Sequence, residues 1–520
     1  MRFVLEGPTA GVLWRRALLR AVLAPLVVLA PLIALAPTRD HRFNIYWHGG
    51  LFRDDPLRIG PHTTGSLPGY LRMGNFRLFG RMLEKALDLA AYTLGDTVGL
   101  PANVALRLVS FLSAVLVCLA ATLLAESVVA RTPLFRQPPS TLAAVTPFAV
   151  AMGFVAAGGS SPAVLFGGLY FASAALVLAV AASLCRIGFA TRFRLWWIPL
   201  LLAGGAALAA FNEIAYLAPP LATVAVLVRG RLVLEVPWRR LFTGPPVRAL
   251  ALLWAGFLPI FLAVRVVIQR YCAAGPCYKG SDIHLGLETA TSLPVRLFAW
   301  LPPLMWRGAV TGGSSRPWLG GVVLIAALVI LGLLAWQAVR DLPRLPAVDR
   351  RAAVAVAATG GVLVALGAVM GSLNVDVQQM VTAGRWGLGW RDSAVTTTAG
   401  GLVVAAVTPM LRGRRRLTAT VVVLLAVTGS VSATANKRFR DTTMASPAAV
   451  LADRVAQEMA DFDRSPAGAV RRCALRTEFA TLHPGSAYTL ARFDKALDTA
   501  ARQRSGMPFC RGVTTDERGR

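Results

Sequence analysis

The stretch ALRLVSFLSAVLVCLAATLLAE, residues 105–126, holds one arginine near its start, one glutamate at its end and otherwise only apolar side chains and small hydroxyls. At 1.5 Å of rise per residue a helix of this length covers about 33 Å, enough to cross a hydrocarbon layer of about 30 Å. A strand of such length and continuous apolarity would leave its backbone polar groups without partners in lipid, so the helical reading prevails.

The rest of the chain repeats the pattern. Of its 520 residues 55% are hydrophobic and 15% charged, and the mean hydropathy is +0.58, values foreign to a water-soluble domain. Apolar runs at roughly 21–37, 105–126, 141–158, 162–185, 195–211, 213–229, 249–268, 318–338, 353–372, 394–411 and 417–435 predict an all-α, polytopic transmembrane bundle of about eleven spans. Residues 294–312 read as either a further span or an interfacial helix. The first run reads as a signal anchor, because no small-residue cleavage site follows LIALAP.

The formal net charge of +28 comes mainly from arginines clustered between apolar runs. Arg15, Arg16 and Arg20, then Arg131 and Arg136, Arg186 to Arg194, Arg229 to Arg240, Arg340 to Arg351 and RGRRR at 412–416 fall on one side when the N-terminus is cytoplasmic. Basic loops mark the cytoplasmic face, so the N-terminus is expected inside and the C-terminus outside. Nucleic-acid binding is not implied by charge distributed this way. The same topology puts Cys272, Cys277, Cys473 and Cys510 outside and Cys118 and Cys185 in spans. Either two outer disulfides form, Cys272 with Cys277 and Cys473 with Cys510, or all six thiols are free.

Residues 1–435 are then a membrane domain with outer loops at about 38–104, 269–317 and 372–393, and 436–520 an extracytoplasmic helical domain. Two tail segments, SPAAVLADRVAQEMADF and SAYTLARFDKALDTAARQ, are amphipathic. So is FRLFGRMLEKALDLAAYTLG in the first outer loop, with Phe79, Leu83, Ala86, Leu87 and Ala90 on one face and Arg81, Glu84, Lys85 and Asp88 on the other. Such a helix lies along a membrane surface. Trp300 and Trp306 suit the headgroup level.

The chemistry-bearing candidates lie in these outer segments. FRDDPLRIG, residues 52–60, sets Asp54 and Asp55 between Arg53 and Arg58. The pair is either a solvated turn leading into Pro56 or a set of working acids, taking a proton from a hydroxyl or holding a divalent cation. The arginines either hold phosphate oxygens or pair with the neighbouring carboxylates. Arg107, Glu213, Arg265, Asp282 and His284 cluster toward the same side and are expected to surround one outward-opening cavity with Asp54 and Asp55. The bland alternatives are snorkelling for Arg265 and helix capping for Glu213. GRWGLGWRDS, residues 384–393, adds Trp386, Trp390, Arg391 and Asp392, a set for sugar stacking, lipid phosphate or interfacial anchoring. His41 and His48, seven apart, fit no common zinc spacing. No P-loop, G-x-G-x-x-G, G-x-S-x-G or H-E-x-x-H motif occurs.

Many spans, the acidic pair of FRDDPLRIG in the first outer loop and the juxtamembrane helix FRLFGRMLEKALDLAAYTL together resemble the GT-C superfamily of membrane glycosyltransferases. DDPLR followed by GNFRLFGRMLE is also similar to O-antigen glucosyltransferase-like membrane proteins, with Gly80-Arg81 as their Gly-Arg motif. The resemblance implies a multi-pass bacterial plasma-membrane enzyme that moves a sugar from a polyprenyl-phosphate donor to a cell-envelope glycan or lipid acceptor. It implies Asp54 or Asp55 as base or cation ligand and Arg81 as a phosphate contact. The competing expectation is a polytopic protein without catalysis: a transporter, a lipid flippase or an assembly scaffold.

Overall fold

The computed structural model describes residues 9–38, 40–275, 277–278, 283–309, 317–410 and 415–510. Among these there is one isolated bridge, Ile283 to Asn374, and no strand; the elements are helices. They are α1 (Ala10–Leu29), α2 (His41–Phe52), α3 (Ile59–Arg72), α4 (Leu78–Val98), α5 (Ala102–Val129), α6 (Leu142–Ala151), α7 (Leu169–Cys185), α8 (Trp197–Ala209), α9 (Ala218–Val228), α10 (Trp238–Thr243), α11 (Pro245–Ala274), α12 (Leu287–Phe298), α13 (Pro302–Ala309), α14 (Pro317–Asp341), α15 (Arg350–Ser372), α16 (Val375–Thr382), α17 (Ser393–Met410), α18 (Arg415–Met444), α19 (Pro447–Ala460), α20 (Pro466–Leu482) and α21 (Ala487–Ser505).

Eight helical stretches are long and apolar enough to cross a membrane. They match eight of the expected runs. The other three, 21–37, 141–158 and 195–211, meet different physics. The first belongs to α1, which starts at Ala10 and carries Arg15, Arg16 and Arg20. The second ends as α6 at Ala151, where Gly153, Gly158, Gly159 and Pro162 favour irregular backbone. The third is the 13-residue α8. The 294–312 stretch is neither one span nor one interfacial helix but the separate α12 and α13, broken at Ala299–Leu301. The most apolar window of α17 is 72% buried within the protein and that of α11 only 11%, so α17 belongs to the bundle centre and α11 to its periphery.

Irregular backbone inside an apolar bundle needs internal hydrogen-bond partners. Two polar side chains supply them. Asn436 in α18 accepts from the Ala156 amide and donates to the Val28 and Phe154 carbonyls. Arg107 in α5, fully buried, donates to the carbonyls of Leu35, Ala36, Ala163 and Val164. Arg107 therefore clips two non-helical segments to α5 and is not the wall of an outward cavity, as expected from its position alone.

The basic segments gather at one end of the bundle. The Trp14 indole donates to the Gln137 carbonyl, Arg16 and Arg20 reach Asp341 at 2.7 and 2.8 Å, and Arg229 donates to the Ala130 carbonyl. Arg351 meets Glu235 at 2.9 Å. The opposite end carries α2 to α4 and the C-terminal helices. The expected domain border at 435/436 falls inside α18, which continues to Met444 because nothing breaks a helix before Ser446-Pro447. Beyond it α19 and α21 match the two amphipathic tail segments, and α20 lies between them. Cys473 bonds to Cys510 and Cys272 to Cys277, while Cys118 and Cys185 are free and buried. Trp300 packs against Gly400 and Trp306 donates to Ser432 at 2.9 Å; both rings stay half-buried.

Candidate functional site

The helices α2, α4 and α21 run parallel. Pairs climb α2 and α4 together: Asn44 with Glu84, His48 with Asp88, Arg53 with Asp96. Pairs climb α2 and α21 in the same sense: Asp40 with Arg492, Trp47 with Lys495, Asp54 with Gln503. Gly49 and Gly50 permit this, since a Cβ on Gly49 would lie 2.1 Å from the Tyr92 ring and one on Gly50 2.7 Å from the Ala500 backbone. Glycine in mid-helix is disfavoured on its own; here two neighbouring helices require it on either side.

The amphipathic α4 turns its charged face inward. Glu84, Lys85 and Asp88 are all buried, while Phe79, Ala86 and Ala90 are exposed. An apolar outer face beside apolar spans suits lipid, and the charged face becomes the lining of a polar interior. Glu84 accepts from Asn44 at 3.1 Å and from Arg81 at 2.8 Å. Burial alone would raise the Glu84 carboxyl, but Arg81, with His48 and His41, brings it down to about 2. Burial pushes the Lys85 ammonium down to about 8, and its Nζ donates to Thr63 of α3. His48 Nδ1 lies 2.7 Å from Asp88 Oδ2, and His41 Nδ1 lies 3.7 Å from Asp88 Oδ1.

At the start of α4 a second group forms. The Phe79 and Gly80 amides donate to the Ala210 and Phe211 carbonyls, which seats the 210–213 turn on the helix N-terminus. A Cβ on Gly80 would sit 2.4 Å from the Phe211 carbonyl oxygen, so only glycine allows that approach. The turn delivers Glu213 to Arg77, whose Nε and Nη2 lie 2.9 and 2.5 Å from one carboxylate oxygen. Burial would raise Glu213, yet Arg77 and then Arg391 hold it at about 2. Arg391 lies near the rings of Tyr170, Tyr278 and Trp390 and donates to the Tyr278 hydroxyl at 3.2 Å. Arg265 stacks on Tyr216 and Phe261, and Arg81 on Tyr70. Three polar atoms here, Arg81 Nε, Tyr170 Oη and Asn75 Oδ1, are sealed from solvent without a hydrogen-bond partner among the described residues, which is unusual for a folded interior.

Glu84 and Glu213 are both held below the ordinary carboxyl value of 4.5. Their contribution to stability is complete above about pH 4.5 and is lost as the pH falls toward 2, where they protonate in the folded state. Thermal unfolding of the purified protein is expected to show a midpoint that drops between about pH 5 and pH 3, with Glu84→Gln flattening that slope. An equal slope in the variant would remove Glu84 from the acid response.

The expected site residues thus divide. Arg81, Glu213, Arg265 and Arg391 converge with Arg77, which lies in no motif and is one of many arginines in the sequence. Asp54 and Asp55 do not join them. They are exposed in the turn after α2, with Asp54 accepting from Gln503 and Arg53 meeting Asp96 at 3.6 Å; Arg58 is exposed there too. Arg81 and Asp96 stand 15 positions apart on the unbroken α4, about 22 Å by helical rise. His284 lies elsewhere again, 3.5 Å from Glu288, in an open groove of about 550 Å³ between α12 and α16 lined by Ile283, His284, Gln378 and Thr382. Asp282 lies outside the described residues. Among the described residues no three His, Cys, Asp or Glu side chains gather as the ligands of a metal ion. No family model, curated protein or solved structure matches the chain.

Proposed function

We propose that the chain is a membrane-embedded glycosyltransferase, multi-pass in a bacterial plasma membrane, that moves a sugar from a polyprenyl-phosphate donor to an envelope glycan or lipid acceptor on the outer face. The observation that carries this reading is the convergence of Arg77, Arg81 and Arg391 with Tyr70, Tyr170 and Tyr278 around Glu213. It lies at the bundle end opposite the basic loops, beside the lipid-facing α4. Guanidinium forks suit phosphate oxygens and aromatic faces suit sugar rings. A donor whose tail stays in the bilayer requires no nucleotide-binding motif. The basic loops then face the cytoplasm, the C-terminal helices lie outside, and the arginine-bearing α1, with the short α6 and α8 and the irregular backbone beside them, completes about eleven crossings.

The test is transfer from a polyprenyl-phosphate sugar by the purified protein in lipid nanodiscs. Arg77→Ala is expected to lower transfer about 100-fold, with Arg77→Lys recovering part, because a point charge replaces a fork only in part. Asp54→Asn and Asp55→Asn, in the turn whose Arg53 meets Asp96 at the far end of α4 from Arg81, are expected to keep at least a tenth of the activity and to act on acceptor affinity. Complete loss in either, with normal expression, would return the catalytic acid to that turn. The same separation favours a second reading, in which the arginines hold a lipid phosphate in a flippase or scaffold that performs no transfer. Donor bound with normal affinity and never consumed, whatever the acceptor, would establish that alternative.

A further inference from the structure

We propose that His48 is the general base of this site and that Asp88 is its positioning residue. The proposal rests on the transferase reading for its substrate and on separate geometry for the dyad. Asp88 is fully buried and its Oδ2 lies 2.7 Å from His48 Nδ1. A carboxylate can only accept, so Nδ1 carries a proton, and in the neutral ring Nε2 is the nitrogen with the lone pair. His48 Nε2 makes no hydrogen bond among the described residues and is not among the sealed polar atoms, whereas both nitrogens of His41 are sealed and unpartnered. The two histidines beside one carboxylate therefore differ: one presents a nitrogen and the other does not.

The surroundings hold the ring in place. Trp47 stacks on His48 with centroids 5.3 Å apart, and Phe52 lies 6.2 Å away. His62 of α3 closes the aromatic set, its ring packing edge-on against both Trp47 and Phe52. On the far side of His41 the turn Phe166–Gly168 has three successive positive φ angles, 56°, 48° and 95°, with the Phe166 ring 4.9 Å from that of His41. A bulky residue in the left-handed region is strained and persists only where its surroundings hold it. Here it closes the sealed side of the dyad.

The spacing to the arginines fits one reaction. Asp88 and Arg81 lie seven positions apart on α4, on one face, hence about 10 Å along the axis. A hydrogen bond from base to hydroxyl, a near-attack distance and one phosphate together span about the same length. His48 Nε2 would take the proton of the acceptor hydroxyl, and its oxygen would form a bond to the anomeric carbon. The bond from that carbon to the phosphate oxygen breaks, its electron pair stays on the phosphate, and polyprenyl phosphate leaves against the arginines. Protons and charge balance without a further reactant.

The experiment uses the full-length protein in nanodiscs and two readouts. The first is carbethoxylation by diethyl pyrocarbonate, followed by peptide mass spectrometry. His48 is expected to react at least ten times faster than His41, and Asp88→Asn to slow it several-fold. The second is transfer by His48→Asn, whose amide can still donate to Asp88 while Nε2 is gone. Transfer is expected to fall about 100-fold or more with an unchanged size-exclusion profile, and Asp88→Asn to lower kcat with KM retained. An inert His48, or His48→Asn transferring within threefold of the native protein, overturns the proposal. A native protein that transfers nothing while His48 remains reactive and dependent on Asp88 overturns the transferase reading and leaves the dyad standing.

Discussion

Arg107→Leu is expected to cost the fold about 3 kcal/mol or more. The guanidinium makes four hydrogen bonds to backbone carbonyls on two segments, Leu35 and Ala36 after α1, and Ala163 and Val164 before α7. Hydrogen bonds to a charged group contribute about 1.5–3 kcal/mol each, and a buried carbonyl left without a partner costs about 1–3 kcal/mol. Water cannot repair the loss at 0% exposure. Arg107→Lys recovers little, because one ammonium cannot span carbonyls on two segments. Thermal unfolding in detergent, read by loss of the monodisperse peak, measures this. A leucine variant destabilised by less than about 1 kcal/mol would mean that the two segments hold each other without Arg107.

Asp392→Ala is the second large effect, at about 3–5 kcal/mol. Asp392 receives Arg296 Nε at 2.9 Å and Nη2 at 2.5 Å, and the same arginine donates to the Leu388 carbonyl. Both side chains are almost fully buried. Removing the carboxylate strands a guanidinium in an apolar interior, and that penalty exceeds what the pair contributed. Removing both partners is a different matter. Arg296→Met with Asp392→Leu is expected to be milder than Asp392→Ala alone. A double variant worse than the single one would show that the 388–393 turn, and not the stranded charge, is what fails. Because this turn carries Arg391, Asp392→Ala should also lower transfer, whereas Arg107→Leu acts through folding alone.

Both arginines illustrate what a linear reading can and cannot reach. Arg107 was visible as a charge inside an apolar run, which is costly and therefore meaningful. Its partners lie about 57 and 72 positions away, beyond the range of any local pattern. The amphipathic α4 was legible by its period, yet the period does not tell which face meets water. In a soluble protein the charged face would be outside; beside a bilayer the apolar face can be the outer one, and the structure turns Glu84, Lys85 and Asp88 inward. The Asp54/Asp55 pair attracted notice because adjacent carboxylates are rare in this chain. The structure leaves it an exposed turn and gathers instead Arg77, which no motif singled out.

The helical class, the long apolar helices and the amphipathic segments are legible in the sequence, because each follows from composition and period over a dozen or so neighbouring residues. The disulfides stayed open in the sequence between two outer pairs and six free thiols, because four cysteines in one compartment allow more than one pairing; the structure joins Cys272 to Cys277 and Cys473 to Cys510. Only the tertiary structure decided which of the charged residues meet. The parallel stacking of α2, α4 and α21 brings His48 to Asp88 across 40 positions, and the contact of Gly80 with the 210–213 turn brings Arg77 to Glu213 across 136. Such pairings depend on the close approach of backbones at Gly49, Gly50 and Gly80. A glycine's meaning lies in what presses against it, which no stretch of sequence contains.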